Sequence, residues 1–243
     1  MQPTLDVCVD DRNGLEICVK HGIDRIELCS ALPLGGLTPS PGLMRVASTV
    51  SIPTYAMIRP RAGNFCFSQS EVDVMLYDIS AVIDNNMAGV VLGASTLDNK
   101  LDLNVLNQLC RASDGVGRTL HRVIDTVADA LEAIDQTVDL GFERILSSGG
   151  SVNAMKGMEQ LKSMQDYANG RIEIMAGSGV NIENAIEIMN STGVRSLHSS
   201  CSISVAVPAA FSKLGFSGEI EPRTDVMTLV ALKRVIEKSN PIR

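Results

Sequence analysis

The chain has 243 residues, enough to bury a large core, and sets 21 Lys and Arg against 28 Asp and Glu for a net charge of −7. Three Tyr, five Phe and no Trp are too few for the stacking platforms that hold single-stranded nucleic acid. An acidic chain without a basic run excludes nucleic acid and an anionic membrane surface as partners, and no apolar stretch reaches the ~20 residues that span a bilayer.

The opening residues, Met1 to Asp6, carry neither the cationic start nor the apolar centre of an export signal. Six cysteines in such a chain read as reduced thiols rather than as a disulfide framework. The expectation is a cytoplasmic protein.

Short β-branched runs alternate with amphipathic segments along the chain. Residues 5–9 predict a first strand and 25–29 a second. Thr38 before Pro39 then places a hydroxyl at a helix N-cap with proline at N1. A third strand is expected at 54–59. After it, Ser68 and Glu71 have capping-box spacing, and Val72, Met75, Leu76, Ile79, Val82 and Ile83 keep one helical stripe. Strands at 89–93 and 118–122 follow, then a helix marked by Val127, Ala130, Leu131, Ile134 and Val138. The last strands are expected at 144–148, 171–176 and 196–199. A helix opening at Asn181 and carrying Ile182, Ala185, Ile186 and Met189 separates the final two, and a helix over 224–237 closes the series. Eight strand–helix units in this length are the arithmetic of an α/β fold of the (β/α)8, TIM-barrel type. Without a linker or a shift in composition, residues 1–243 read as one domain.

Side chains alternate across a strand, so parity separates the two faces. Leu5, Val7 and Val9 oppose Asp6, Cys8 and Asp10; Ile26 and Leu28 oppose Arg25, Glu27 and Cys29. Ala56 and Ile58 oppose Arg59 and Arg61, Leu120 opposes Thr119 and His121, Ile172 and Ile174 oppose Glu173, and Leu197 opposes Ser196 and His198. The apolar set must pack on the helices, which leaves an ionisable lumen. Buried charges cost several kcal/mol unless paired, so such a lumen needs a purpose. Arg25, Arg144 and Glu173 fall near the amino ends of their strands and read as structural ion pairs. Cys8, Asp10, Glu27, Cys29, Arg59, Arg61, His121, Arg122, Asp125, Ser148 and His198 fall at the carboxyl ends, where this fold places its chemistry. A stabilising polar plug is the plain alternative for the whole set.

Two sites follow from the residues themselves. Gly177, Ser178 and Gly179 after the seventh strand, with Ser199 after the eighth, match the loops from which this fold binds phosphate. A tight turn needing glycine is the alternative. Glu27 and His121 form a candidate proton relay, with Arg59, Arg61 and Arg122 holding an anion and His198 as a second acid or an orienting group. His21 reads as a helix-end surface residue. Cys18 and Cys110 fall on helices, and Cys66 and Cys201 follow strands.

The motifs Gly22-Ile23-Asp24-Arg25-Ile26-Glu27-Leu28-Cys29, Gly35-Gly36-Leu37-Thr38-Pro39-Ser40 and Met57-Ile58-Arg59-Pro60-Arg61 resemble the CutC family, named as copper homeostasis proteins. The resemblance continues through Leu120-His121-Arg122 with Asp125, Ser147-Ser148-Gly149, Ala176-Gly177-Ser178-Gly179 and His198-Ser199-Ser200, and covers residues 4 to 200. It implies a TIM barrel, Cu(I) bound by Cys8 and Cys29, a role in copper homeostasis, and a homo-oligomer of two or more chains. Thiolates suit Cu(I), although buried cysteine often only fills space. Asn64 stands where the family usually carries Asp. An enzyme acting on a small phosphorylated or carboxylated metabolite is the alternative: a cationic mouth with positioned His and Glu suits catalysis, and a metal buffer needs none of them.

Overall fold

The computed structural model describes residues 2–239. Eight parallel strands close into a barrel in sequence order. They are β1 (Thr4–Val9), β2 (Arg25–Leu28), β3 (Thr54–Met57), β4 (Gly89–Leu92), β5 (Gly117–Leu120), β6 (Arg144–Ser147), β7 (Glu173–Ala176) and β8 (Ser196–Ser199). Around them lie α1 (Arg12–His21), α2 (Pro41–Ala47), α3 (Gln69–Asp84), α4 (Leu103–Ala112), α5 (Ala130–Asp139), α6 (Met158–Ala168) and α7 (Ala185–Thr192). A hairpin of β9 (Ser202–Ala206) and β10 (Ile220–Thr224), bridged by α8 (Ala209–Lys213), precedes the closing α9 (Val226–Lys238). The (β/α)8 barrel read from the strand count is the observed architecture, and the hairpin is an addition that the strand arithmetic missed.

The parity argument holds along the strands and fails at Arg61, which lies beyond the end of β3. Leu5, Val7, Ile26, Leu28, Ala56, Ile58, Leu120, Ile174 and Leu197 belong to the large core between strands and helices. Cys29, Tyr55, Met57 and Val91 make a separate small cluster inside the barrel. The amino end of the lumen is closed by ions: Arg25 pairs with Asp6 at 2.7 Å and with Glu173 at 3.2 Å. Arg144 completes the plug, 3.5 Å from Glu173, with its guanidinium 4.8 Å from the centre of the Tyr55 ring. Arg25, Arg144 and Glu173 are thus the structural pairs that their position implied, and the carboxyl end is left for chemistry.

Ser68 and Glu71 do form a capping box on α3. The cap of α2, however, is Ser40 with Pro41 at N1, two residues after the expected pair. Thr38 instead accepts the backbone N–H of Arg59 at 3.0 Å, which fastens one barrel loop to the next. Asn181 does not open α7, which begins at Ala185. The Asn181 side chain accepts the N–H of Glu183 in a turn before it, a local bond that competes with helix.

Candidate functional site

At the carboxyl ends of the strands lies a cavity of about 330 Å³, with Cys8, Glu27, Arg59, His121, Arg122 and His198 among its lining residues. Parallel pairing sets Cys8 of β1 beside Glu27 of β2. His198 comes from β8, the other neighbour of β1, so three consecutive strands supply one cluster. The ligand atoms of Cys8, Glu27 and His198 all lie within 4.8 Å of one another.

Glu27 and His198 form the charged heart of the site. His198 Nε2 sits 3.2 Å from Glu27 Oε1, and both side chains are nearly buried. Burial opposes the charge on each, but their attraction outweighs it. The imidazole is held protonated well above its ordinary range, and the carboxyl is held ionised below its own. Cys29 donates its thiol to the same Oε1 at 3.5 Å. Its own burial and the neighbouring carboxylate push that thiol well above the usual range, so it stays protonated. The second oxygen, Glu27 Oε2, has no hydrogen-bond partner among the described residues.

His121 follows β5 and is fixed in a different state. Its Nδ1 accepts the backbone N–H of Val123 at 3.1 Å, so the ring proton must reside on Nε2. The Phe65 ring packs over it with centroids 4.6 Å apart. Burial first, and then the Arg59 charge, depress its pKa to about 4, and the ring is neutral at physiological pH. Nε2 is buried and unpartnered. In this state the ring offers a hydrogen-bond donor at Nε2, while Nδ1 is occupied by the Val123 N–H.

The arginines divide. Arg59 Nη1 donates to Leu34 O and Gly36 O, and Nη2 to Gly63 O, which ties two barrel loops together and leaves Nε unpartnered. Arg122, which lines the cavity, uses Nε on Asp125 and Nη2 on Ser148 and Ser151 O, and its Nη1 has no partner among the described residues. Arg61 does not line the cavity. It pairs with Glu71 and donates to Asn64 and Cys66 O, so its donors are consumed within its own loop. The anion-holding role expected for Arg61 has no geometric support. Asn64 serves in that loop through Oδ1, which accepts from Arg61 Nη2 and from Cys66 N–H.

Of the two glycines expected to bind an anion, Gly179 meets the cavity and Gly177 does not. Gly179 has φ +75°, and neither its N–H nor that of Val180 makes a hydrogen bond among the described residues. Gly177 is a packing residue, since a Cβ there would meet Leu146 Cδ1 at 2.5 Å and His198 Cβ at 3.2 Å. Ser199 lines the cavity, but its hydroxyl is spent on Val180 O at 2.8 Å and positions that loop. Cys29 lies outside the close cluster of Cys8, Glu27 and His198. Cys201 is buried in the outer core and Cys66 is half-buried, and neither lines the cavity. Sequence reasoning missed Phe65, and it missed Gly93, whose lack of a Cβ admits the His121 ring. The signal for Gly93 was a glycine directly after a buried strand.

The chain matches the family model described as the CutC family over residues 3–203. A CutC protein of Rhizobium meliloti (strain 1021) is 47% identical over 95% of this chain and 94% of its own. That of Pasteurella multocida (strain Pm70) is 39% identical over 96% and 99%. Among solved structures, a CutC from Streptococcus agalactiae with a suggested role in copper homeostasis superposes with a TM-score of 0.78 at 35% identity, over 82% of this chain and 99% of its own. A thiamine phosphate pyrophosphorylase from Pyrococcus furiosus, at 14% identity and a TM-score of 0.59 over 98% and 96%, shares the fold alone. Barrel, motifs and relatives agree: the chain belongs to the CutC family.

Proposed function

We propose that this cavity binds a small anionic organic molecule and acts on it by proton transfer. One observation carries the reading: Glu27 Oε2, Arg59 Nε and His121 Nε2 are all buried without a hydrogen-bond partner among the described residues, and all three residues line one cavity. An unsatisfied buried polar atom costs about 1–3 kcal/mol, so three around one space are explained by a ligand that satisfies them. The Arg122 guanidinium with the N–H groups of Gly179 and Val180 offers a seat for a phosphate or carboxylate. Glu27 stays ionised to accept a proton, and His198 holds it in place.

The test is thermal stabilisation by phosphoglycolate, which carries both kinds of anion. At a hundredfold excess over Kd a bound ligand adds about 2.7 kcal/mol. Arg122→Ala is expected to lose most of that gain, whereas Arg61→Ala keeps it. Equal gains in all three proteins, or none in any, contradict the reading.

The buried trio favours a second reading, in which Cys8 and His198 hold Cu(I). Thiolate and imidazole donors suit this ion, but His198 must first lose the proton it shares with Glu27. The thiol of Cys29 is committed to Glu27. A competition titration distinguishes the readings: Cys8→Ala abolishes Cu(I) binding and Cys29→Ala spares it if this second reading holds.

A further inference from the structure

The state of His121 defines the chemistry more narrowly than the anion seat does. Three independent contacts fix its ring. Val123 N–H points at Nδ1 from 3.1 Å, Phe65 covers one side, and Gly93 leaves room where a Cβ would meet Nδ1 at 2.7 Å. The only free position is Nε2, which carries the proton and has no protein partner. An N–H held this way cannot accept a proton and has no use against an ammonium or a metal ion. It suits an oxygen that gains negative charge.

Glu27 is arranged as the complement. Oε1 is held by His198 Nε2 at 3.2 Å and by the Cys29 thiol at 3.5 Å, and Oε2 is free. A carboxylate with one oxygen anchored and one open, across a cavity from a neutral N–H donor, is an arrangement for removing a proton next to a carbonyl.

We propose that the substrate is an anionic compound with a carbonyl group next to a C–H bond, and that the site catalyses enolisation of that carbonyl. This rests on the anion-binding reading above and deepens it. Glu27 Oε2 takes the proton from the carbon. The C–H electron pair becomes the carbon–carbon double bond, and the carbonyl π pair moves to oxygen, where His121 Nε2–H stabilises the enolate. The proton, or one exchanged with solvent, then returns from Oε2 to carbon and the carbonyl re-forms. No oxidant, reductant or second substrate is consumed. The fold orients the pieces: His121 follows β5, three strands round the barrel from Glu27 on β2, with the anion seat made by Arg122 after β5 and the loop after β7.

Two measurements on the full chain test this. The protein has three histidines, so a ¹⁵N-histidine spectrum resolves them, and the signal missing in His121→Gln assigns the ring. The ring is expected to remain the neutral Nε2–H tautomer from about pH 5 to pH 9. An Nδ1–H tautomer, or protonation within that range, overturns the proposal. In the second measurement, dihydroxyacetone phosphate and other anionic hydroxyketones are incubated in D2O and followed by NMR. Wild type is expected to exchange the proton next to the carbonyl with solvent. Glu27→Gln is expected to slow exchange at least about a hundredfold, and His121→Ala to slow it more than His121→Gln, which keeps an N–H donor. Phosphoglycolate binding without any exchange overturns the enolisation and leaves the anion site standing. Absence of both phosphoglycolate binding and exchange overturns the two together.

Discussion

Gly93→Ala tests the geometry at its tightest point. A Cβ at this position would sit 2.6 Å from His121 Cε1, 2.6 Å from Val123 Cγ1 and 2.7 Å from His121 Nδ1. Side chains touch comfortably from about 3.4 Å, so the ring and the valine must retreat by about 0.8 Å. Both groups are fully packed, and overfilling of this kind costs about 1–3 kcal/mol. In a chain of this size each kcal/mol moves Tm by about 2–4 °C, so the expected fall is about 2–12 °C. The retreat also lengthens the Val123 N–H bond to Nδ1, which stands at 3.1 Å. Burial and the Arg59 charge that hold His121 at about 4 remain, so what the released Nδ1 is expected to lose is its single tautomer, with Nδ1–H appearing beside Nε2–H. A melting curve and a ¹⁵N-histidine pH series read both effects. An unchanged Tm together with an unchanged His121 signal would refute the argument that the missing Cβ holds the ring in place.

Other expectations follow from the same contacts. The raised His198 pKa gives stability that is full below the unfolded imidazole value of about 6.5 and is lost as pH rises through the folded value. The lowered Glu27 pKa gives stability present above the unfolded carboxyl value of about 4.3 and lost as pH falls through the folded one. Glu27→Gln should therefore show its largest loss between about pH 5 and pH 6.5, up to about 3–5 kcal/mol, shrinking at higher pH in denaturant melts. A loss that is flat with pH counts against the ion pair. Cys29, buried against Glu27, is expected to alkylate at least about tenfold more slowly than the half-buried Cys66, read by mass spectrometry of the tryptic peptides; equal rates would place its thiol elsewhere. Gly177→Ala should lower Tm through its clash with Leu146, while Gly115→Ala, with nothing within 4 Å of its new Cβ, should lower it less.

Much of the fold was legible because two periods are hard to confuse. Alternation along β1, β2 and β3 separated Val7, Ile26 and Ile58 from the charged lumen, and the same parity located Glu27, His121 and His198. The hairpin of β9 and β10 escaped because it lies outside the ring of eight strands, against α1 and α9, and its alternation does not face a core. Their outer residues Ile203, Val205 and Ile220 are exposed. Position along a strand could not say what an arginine does. Arg59, Arg61 and Arg122 look alike in sequence, yet Arg61 is spent on Glu71 and its own loop, while Arg122 keeps a donor for the cavity. Parity likewise put Cys8 and Cys29 on one face, but the ring of strands brings His198 to Cys8 and leaves Cys29 donating to Glu27. Hydrogen-bond direction was the other hidden quantity. Only the turn at Val123 reveals that His121 is a donor at Nε2.

A crystal structure of the protein grown with phosphoglycolate tests the central claim most directly. The account predicts the phosphate on Arg122 and the N–H groups of Gly179 and Val180, with a carboxylate oxygen within hydrogen-bond distance of His121 Nε2. An empty cavity at saturating ligand, or a phosphoglycolate bound elsewhere on the barrel, would contradict it.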